Sequence, residues 1–170
     1  KYLGILIFMG FIYFIFLSPV KRICNLTGYN VSPWGFPFLL CNVFFATVYW
    51  GCAVYWFSDV PFKEREMMYH YARLGKLRWG VFQLIQILIR SFIFVITNFL
   101  LSILVLLPNL CMEMDWGEIY YTIALTDTNI KYNLLFEVPY KIISHYSVVE
   151  AIVFSMVSCF LCTLFLGYIM

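Results

Sequence analysis

Charged side chains are scarce in this sequence of 170 residues. Asp, Glu, Lys and Arg together make up 12% of the chain, against about 25% in a soluble domain. Apolar residues, with Tyr included, make up 64%, and a chain of this size has too much surface to hide them all from water. These proportions exclude a soluble globule and predict a membrane protein.

Other absences exclude further classes of protein. The net charge is only +2 and no basic stripe is present, so no nucleic-acid-binding surface is predicted. A disordered segment would be poor in aromatics, whereas this chain has 18 Phe and 13 Tyr. No glycine-rich phosphate loop (GxxxxGK followed by Ser or Thr) occurs, so any ATPase must be a partner chain. We expect no catalytic residue, no cofactor, no metal site and no enzymatic activity.

The cysteines do not form a disulfide framework. Four of the six lie in apolar runs, where a thiol behaves as a small hydrophobic group. Cys24 and Cys111 lie in predicted loops and would pair only if both loops faced an oxidising compartment. Cys159 and Cys162 form a CxxC string without a second pair or a histidine, so packing is favoured over zinc binding or redox chemistry.

Long uncharged runs predict the fold. A run of 18 or more apolar residues is a candidate membrane span. The runs are continuous rather than alternating, which favours helices over barrel strands. We therefore predict an all-α polytopic transmembrane helical bundle, a single domain over 1–170 that is expected to be incomplete at one or both ends. At least four spans are predicted, at about 2–20, 36–57, 90–107 and 148–170.

The third span contains an arginine within a long apolar run. Arg90 would be costly at the bilayer centre but can extend to the interface from a helix end. We therefore begin the span near Arg90 and expect residues 79–89 at the membrane surface or in a tilted approach. Lys76, Gln83, Arg90 and Thr97 recur every seven residues, which places them on one face of a helix.

The distribution of charge between the loops predicts orientation. Basic residues concentrate in loops that stay in the cytoplasm. The 58–78 loop is therefore predicted to be cytoplasmic, as is the N-terminus, and the acidic 109–147 loop extracytoplasmic. Lys21 and Arg22 would face outward, against the rule. The basic residues of the 58–78 loop are Lys63, Arg65, Arg73, Lys76 and Arg78.

The cytoplasmic loop is also the main candidate for a functional segment. Asp59 can cap a short amphipathic helix beginning near Pro61, which Gly75 would end. Two interpretations stay open: a helix that anchors the third span at the interface, and a surface that docks a cytoplasmic partner. The segment contains two short strings and a tryptophan: Asp59-Val60-Pro61-Phe62, Arg73-Leu74-Gly75-Lys76 and Trp79.

With the order of the spans, these strings resemble hydrophobic membrane proteins of Firmicutes related to type-2 ABC exporter permeases. The resemblance implies a bacterial plasma-membrane protein whose short helix between spans two and three docks on an ATP-binding-cassette ATPase subunit. It also implies assembly with a second copy or a related permease chain. The docking residues it implies are Asp59, Pro61, Phe62, Arg73, Gly75, Lys76 and Arg78.

We therefore expect the transmembrane permease subunit of an ABC-type exporter. The alternative is a non-transport assembly, immunity or scaffold subunit that uses the basic loop for docking.

The last span has a pattern that favours helix packing, because small residues let membrane helices approach closely. Such residues recur every four positions in the last span, where they would pack within the chain or against a second copy: Ser155, Cys159, Thr163 and Gly167.

Overall fold

The computed structural model describes residues 1–60, 75–126, 132 and 134–170. These residues are largely helical and contain no strand. The one β-type feature recorded among them is an isolated bridge between Val31 and Leu110. The helices are α1 (Tyr2–Thr27), α2 (Phe36–Cys41), α3 (Val43–Phe57), α4 (Lys76–Leu106), α5 (Gly117–Leu125), α6 (Tyr140–His145) and α7 (Val148–Ile169).

Three of these helices, α1, α4 and α7, are long and apolar enough to cross a membrane. They contain 26, 31 and 22 residues, and about 20 residues are needed to span the hydrocarbon core. The predicted all-helical class is thereby confirmed for the described residues, together with three helices that could span a membrane. The predicted count of at least four spans stays a prediction.

The predicted second span, 36–57, is two helices rather than one. Asn42 has an extended backbone (φ −81°, ψ 124°) that interrupts the helical path. Its side chain accepts a hydrogen bond from the Phe45 amide at 3.0 Å and donates one to the Leu135 carbonyl at 2.7 Å. The polar side chain thus stabilises the break from both sides. Helix α3 alone extends only about 22 Å, less than the roughly 30 Å of a hydrocarbon core.

The first and third predicted spans are longer than expected. Helix α4 begins at Lys76, directly after Gly75 (φ 78°), so the apolar residues 79–89 belong to the same continuous helix as Arg90. Helix α1 continues past residue 20 to Thr27, where Gly28 in the left-handed conformation ends it. Lys21 and Arg22 therefore lie on a helix rather than in a loop.

The four helices α1, α3, α4 and α7 alternate in direction. At one end of the bundle, Lys1 contacts Asp59, which follows α3, and Tyr2 contacts Arg90 of α4. We call this the Lys1 end. At the opposite end, the Asn109 amide donates to Asn25 Oδ1 at 2.6 Å. We call this the Asn25 end. Between the two ends, aromatic side chains fill the interior of the bundle.

Candidate functional site

A cluster of charged and aromatic side chains closes the Lys1 end. Lys1 Nζ lies 2.7 Å from a carboxylate oxygen of Asp59, and Tyr2 donates its hydroxyl to the same oxygen at 3.3 Å. The hydrogen bond from the Lys1 ammonium group lowers the pKa of Asp59. Asp59 thus ties the end of α3 to the beginning of α1. Its predicted role as a helix cap concerns residues outside the described ranges.

Arg90 extends the cluster to α4. Its guanidinium donates to the Tyr2 hydroxyl at 2.6 Å and lies 5.5 Å from the centre of the Tyr2 ring. The same ring packs edge-on against Trp56, with 4.6 Å between centroids. Three helices therefore meet in one layer of charge, which we call the Lys1–Asp59–Arg90 layer. The helix that contains Arg90 begins at Lys76, so the predicted start of a span near Arg90 stays a prediction.

Helix α4 continues beyond this layer. The segment from Lys76 to Ile89 extends the helix by about 20 Å at 1.5 Å per residue. Lys76 and Arg78 are exposed at its beginning. One face of the segment carries exposed large apolar side chains: Leu77, Val81, Phe82, Leu84, Ile85, Leu88 and Ile89. We call this segment the α4 extension.

The predicted docking residues are only partly described. Pro61, Phe62 and Arg73 lie outside the described residues, as does most of the predicted cytoplasmic helix. Asp59 belongs to the charged layer rather than to the α4 extension. Gly75, Lys76 and Arg78 lie exposed at the start of α4. The structure thus places the described candidates at two distinct positions along the chain, and Asp59 has a cross-helix partner that its local sequence does not reveal.

The predicted small-residue stripe lies against other helices of the same chain. Thr163 and Gly167 are buried, as is Cys159, while Ser155 is half-buried. A Cβ added to Gly167 would lie 2.6 Å from Ile87 Cγ2 and 3.1 Å from the Phe57 ring. Glycine is therefore what allows α7 to approach α4 and the end of α3 this closely.

A cavity of about 380 Å³ lies between α7 and the broken helix pair α2–α3. Its walls are almost entirely apolar and include Trp50, Ala46 and Phe154, with Ser158 among the few polar contributors. Cys41, Cys159 and Cys162 also line it, although the sequence indicated only that they are packing residues. Sequence reasoning missed the cavity, because its walls come from segments about 100 residues apart. All six cysteines are free thiols, Cys24 and Cys111 included.

Comparisons with protein-family models, curated proteins and solved structures find no match for this chain. Its class therefore follows from its own features. The described residues form a helical bundle with three helices long and apolar enough to cross a membrane, a charged layer at one end, a helical extension beyond that layer and an apolar cavity beside the last helix.

Proposed function

We propose that this chain is the transmembrane permease subunit of an ABC-type exporter, which couples a partner ATPase to movement of a substrate across the membrane. The α4 extension carries the proposal. It joins the exposed Gly75, Lys76 and Arg78 to the bundle interior through one uninterrupted helix of 31 residues. A displacement imposed at Lys76 by an ATPase would therefore move the part of α4 that packs against α1 and α7.

In this proposal the Lys1 end faces the cytoplasm of a bacterial cell, and Lys76 and Arg78 contact the ATPase surface. Charged groups at an interface steer association and select the partner. The exposed apolar face of the extension would add buried area in the same contact, or lie in the lipid interface beside it. A second copy of the chain, or a related permease chain, would complete the transporter.

One observation favours the alternative, a non-transport assembly, immunity or scaffold subunit. The bundle interior is filled by aromatic contacts, such as Tyr13 with Phe45 at 5.1 Å and Tyr49 with Phe94 at 5.3 Å between ring centroids. Because this packing fills the interior of the bundle, a translocation path would have to form between chains rather than within this one. A scaffold needs no such path.

Purification of the complex from solubilised membranes separates the two functions. We expect an ATPase with a nucleotide-binding phosphate loop to co-purify with the wild-type chain. Reversing both charges (Lys76→Glu with Arg78→Glu) should abolish that co-purification while the chain still inserts into the membrane. Lys141→Glu, on α6, is the matched control and should leave the complex intact. Retention of the ATPase by the double variant would contradict the proposed docking, and its absence from the wild-type complex would favour the scaffold.

A further inference from the structure

The cavity beside α7 has the length of one bilayer leaflet. On α7 its lining runs from Ala151 to Cys162, which is roughly 17 Å of helix at 1.5 Å per residue. The hydrocarbon core of a bilayer is about 30 Å thick. The uncharged stretch of α1 between Lys1 and Lys21 has about this length as well. The cavity therefore extends from the Asn25 end to about the middle of the hydrophobic layer.

The shape and the walls of the cavity favour a flexible chain over a folded segment. A volume of about 380 Å³ spread over roughly 17 Å makes a narrow groove, which fits an extended chain better than a helix with a diameter of about 10 Å. The walls are apolar along the length of the cavity. A hydrocarbon chain makes favourable van der Waals contacts with such walls, and it needs no hydrogen-bond partner from them.

Lys141 supplies a positive charge next to one lining residue of the cavity, and such a charge is complementary to a phosphate. Ile142 of α6 and Tyr146 line the cavity close to the beginning of α7. Lys141 and His145 are exposed on the same short helix and lie four residues apart, on one face. Within the part of the chain that the structure describes, no ion pair joins Lys141 to a carboxylate.

Glu150 lies one turn into α7, and its carboxylate takes part in the local helix cap. Its carboxylate accepts a hydrogen bond from the Ser147 amide at 2.9 Å, as part of the cap that begins α7.

We propose that the cavity binds one acyl chain of a phospholipid from the leaflet at the Asn25 end, with the lipid phosphate beside Lys141 and His145. The site is independent of the proposed transport function, since it needs no ATPase.

Native mass spectrometry of the purified chain tests the proposal with dioleoyl phosphatidylglycerol and dioleoyl phosphatidylcholine as probes. The wild-type chain should retain one phospholipid. Ser158→Trp fills the cavity and should weaken retention by on the order of tenfold. Val157→Trp adds the same ring on the exposed face of the same helix turn and should retain lipid as the wild type does. Lys141→Glu should lower retention of phosphatidylglycerol more than that of phosphatidylcholine.

A second measurement covers the case in which Ser158→Trp fails to fold. Trp50 lines the cavity, so its fluorescence, obtained as the difference between wild type and Trp50→Phe, reports occupancy. Phospholipids with brominated chains should quench it in a saturable manner at low mole fraction. Quenching that rises only in proportion to the brominated fraction would overturn the proposal. So would equal retention by the Ser158 and Val157 variants, or a wild-type chain that retains no lipid because a protein segment fills the cavity.

Discussion

Gly167 on α7 faces Ile87 on α4 so closely that a Cβ at residue 167 would lie 2.6 Å from Ile87 Cγ2. The branched Ile87 side chain has little freedom to move away, because χ1 of β-branched residues is restricted within a helix. The Phe57 ring closes the same space at 3.1 Å. This contact sets the distance between the last helix and the helix that extends beyond the bundle.

Gly167→Ala should therefore destabilise the bundle, although alanine is the better helix former. Overpacking of a filled site costs about 1–3 kcal/mol, which exceeds the gain of about 1 kcal/mol from helix propensity. Unfolding by denaturing detergent measures the free energy of unfolding. Gly51→Ala is the matched control, because nothing lies within 4 Å of a Cβ there, and it should be neutral or slightly stabilising.

A double variant checks the cause. Ile87→Ala removes the Cγ2 atom that the new methyl group would meet. In that background, Gly167→Ala should lose part of its destabilising effect, and the difference is the coupling energy of the pair. Strictly additive effects of the two substitutions would contradict the proposed clash.

Continuous hydropathy made the long helices predictable, and a contact between distant residues explains why the predicted second span is broken. The apolar runs near both ends of the chain lie within α1 and α7. The break at Asn42 depends on Leu135, which is 93 residues away in the sequence. A hydropathy window does not detect a partner so far away in the sequence. The local signal for the helix break is the asparagine within an apolar run.

Among the candidate sites, local spacing predicted the packing face, but not the ion pair or the cavity. The four-residue spacing in the last span predicted a closely packed face, since small residues at that spacing share one side of a helix. The ion pair between Lys1 and Asp59 joins residues whose local sequences contain no sign of each other. The cavity is likewise formed by residues of four helices, α2, α3, α6 and α7, and no single segment encodes it.

Asn42 should contribute measurably to stability through its two hydrogen bonds. Asn42→Ala removes the cap of α3 and the bond to Leu135, and we expect a loss on the order of 2 kcal/mol. Asn42→Ser keeps an oxygen that can accept from the Phe45 amide and should lose about half as much. Thr47→Ala, at an exposed position one turn further on, is the control and should change stability by less than about 0.5 kcal/mol. Equal losses for the Ala and Ser variants would contradict a capping role.

The ion pair at the Lys1 end should make stability depend on pH under acidic conditions. The hydrogen bond from Lys1 lowers the pKa of Asp59 in the folded state below the value of about 3.9 expected in the unfolded chain. The contribution of the pair is therefore complete above that value and is lost as the pH falls through the folded pKa.

Thermal unfolding between about pH 7 and pH 3 measures this dependence. The wild-type chain should lose stability at the acidic end, and Asp59→Asn should show less of that loss. Added salt should reduce the difference, because the Asp59 side chain is half exposed and screening acts on it. Glu118→Gln controls for the removal of one carboxylate elsewhere. Identical pH profiles for wild type and Asp59→Asn would contradict a stabilising ion pair.

The alternating directions of the helices predict where two exposed positions can be labelled. Lys76 begins α4 beyond the Lys1 end, and Met112 is exposed just past the Asn25 end. If the basic 58–78 loop lies in the cytoplasm, as the excess of Lys and Arg in that loop predicts, the two positions face opposite compartments.

Single cysteines at these positions, in a background with the six native cysteines replaced, test both the topology and the orientation. A membrane-impermeant maleimide should label Met112→Cys in intact cells and Lys76→Cys only after the membrane is permeabilised. Labelling of Lys76→Cys alone in intact cells would reverse the orientation and remove the ATPase from reach of Lys76 and Arg78. Labelling of both from outside would contradict the odd number of membrane crossings that α4 requires between them.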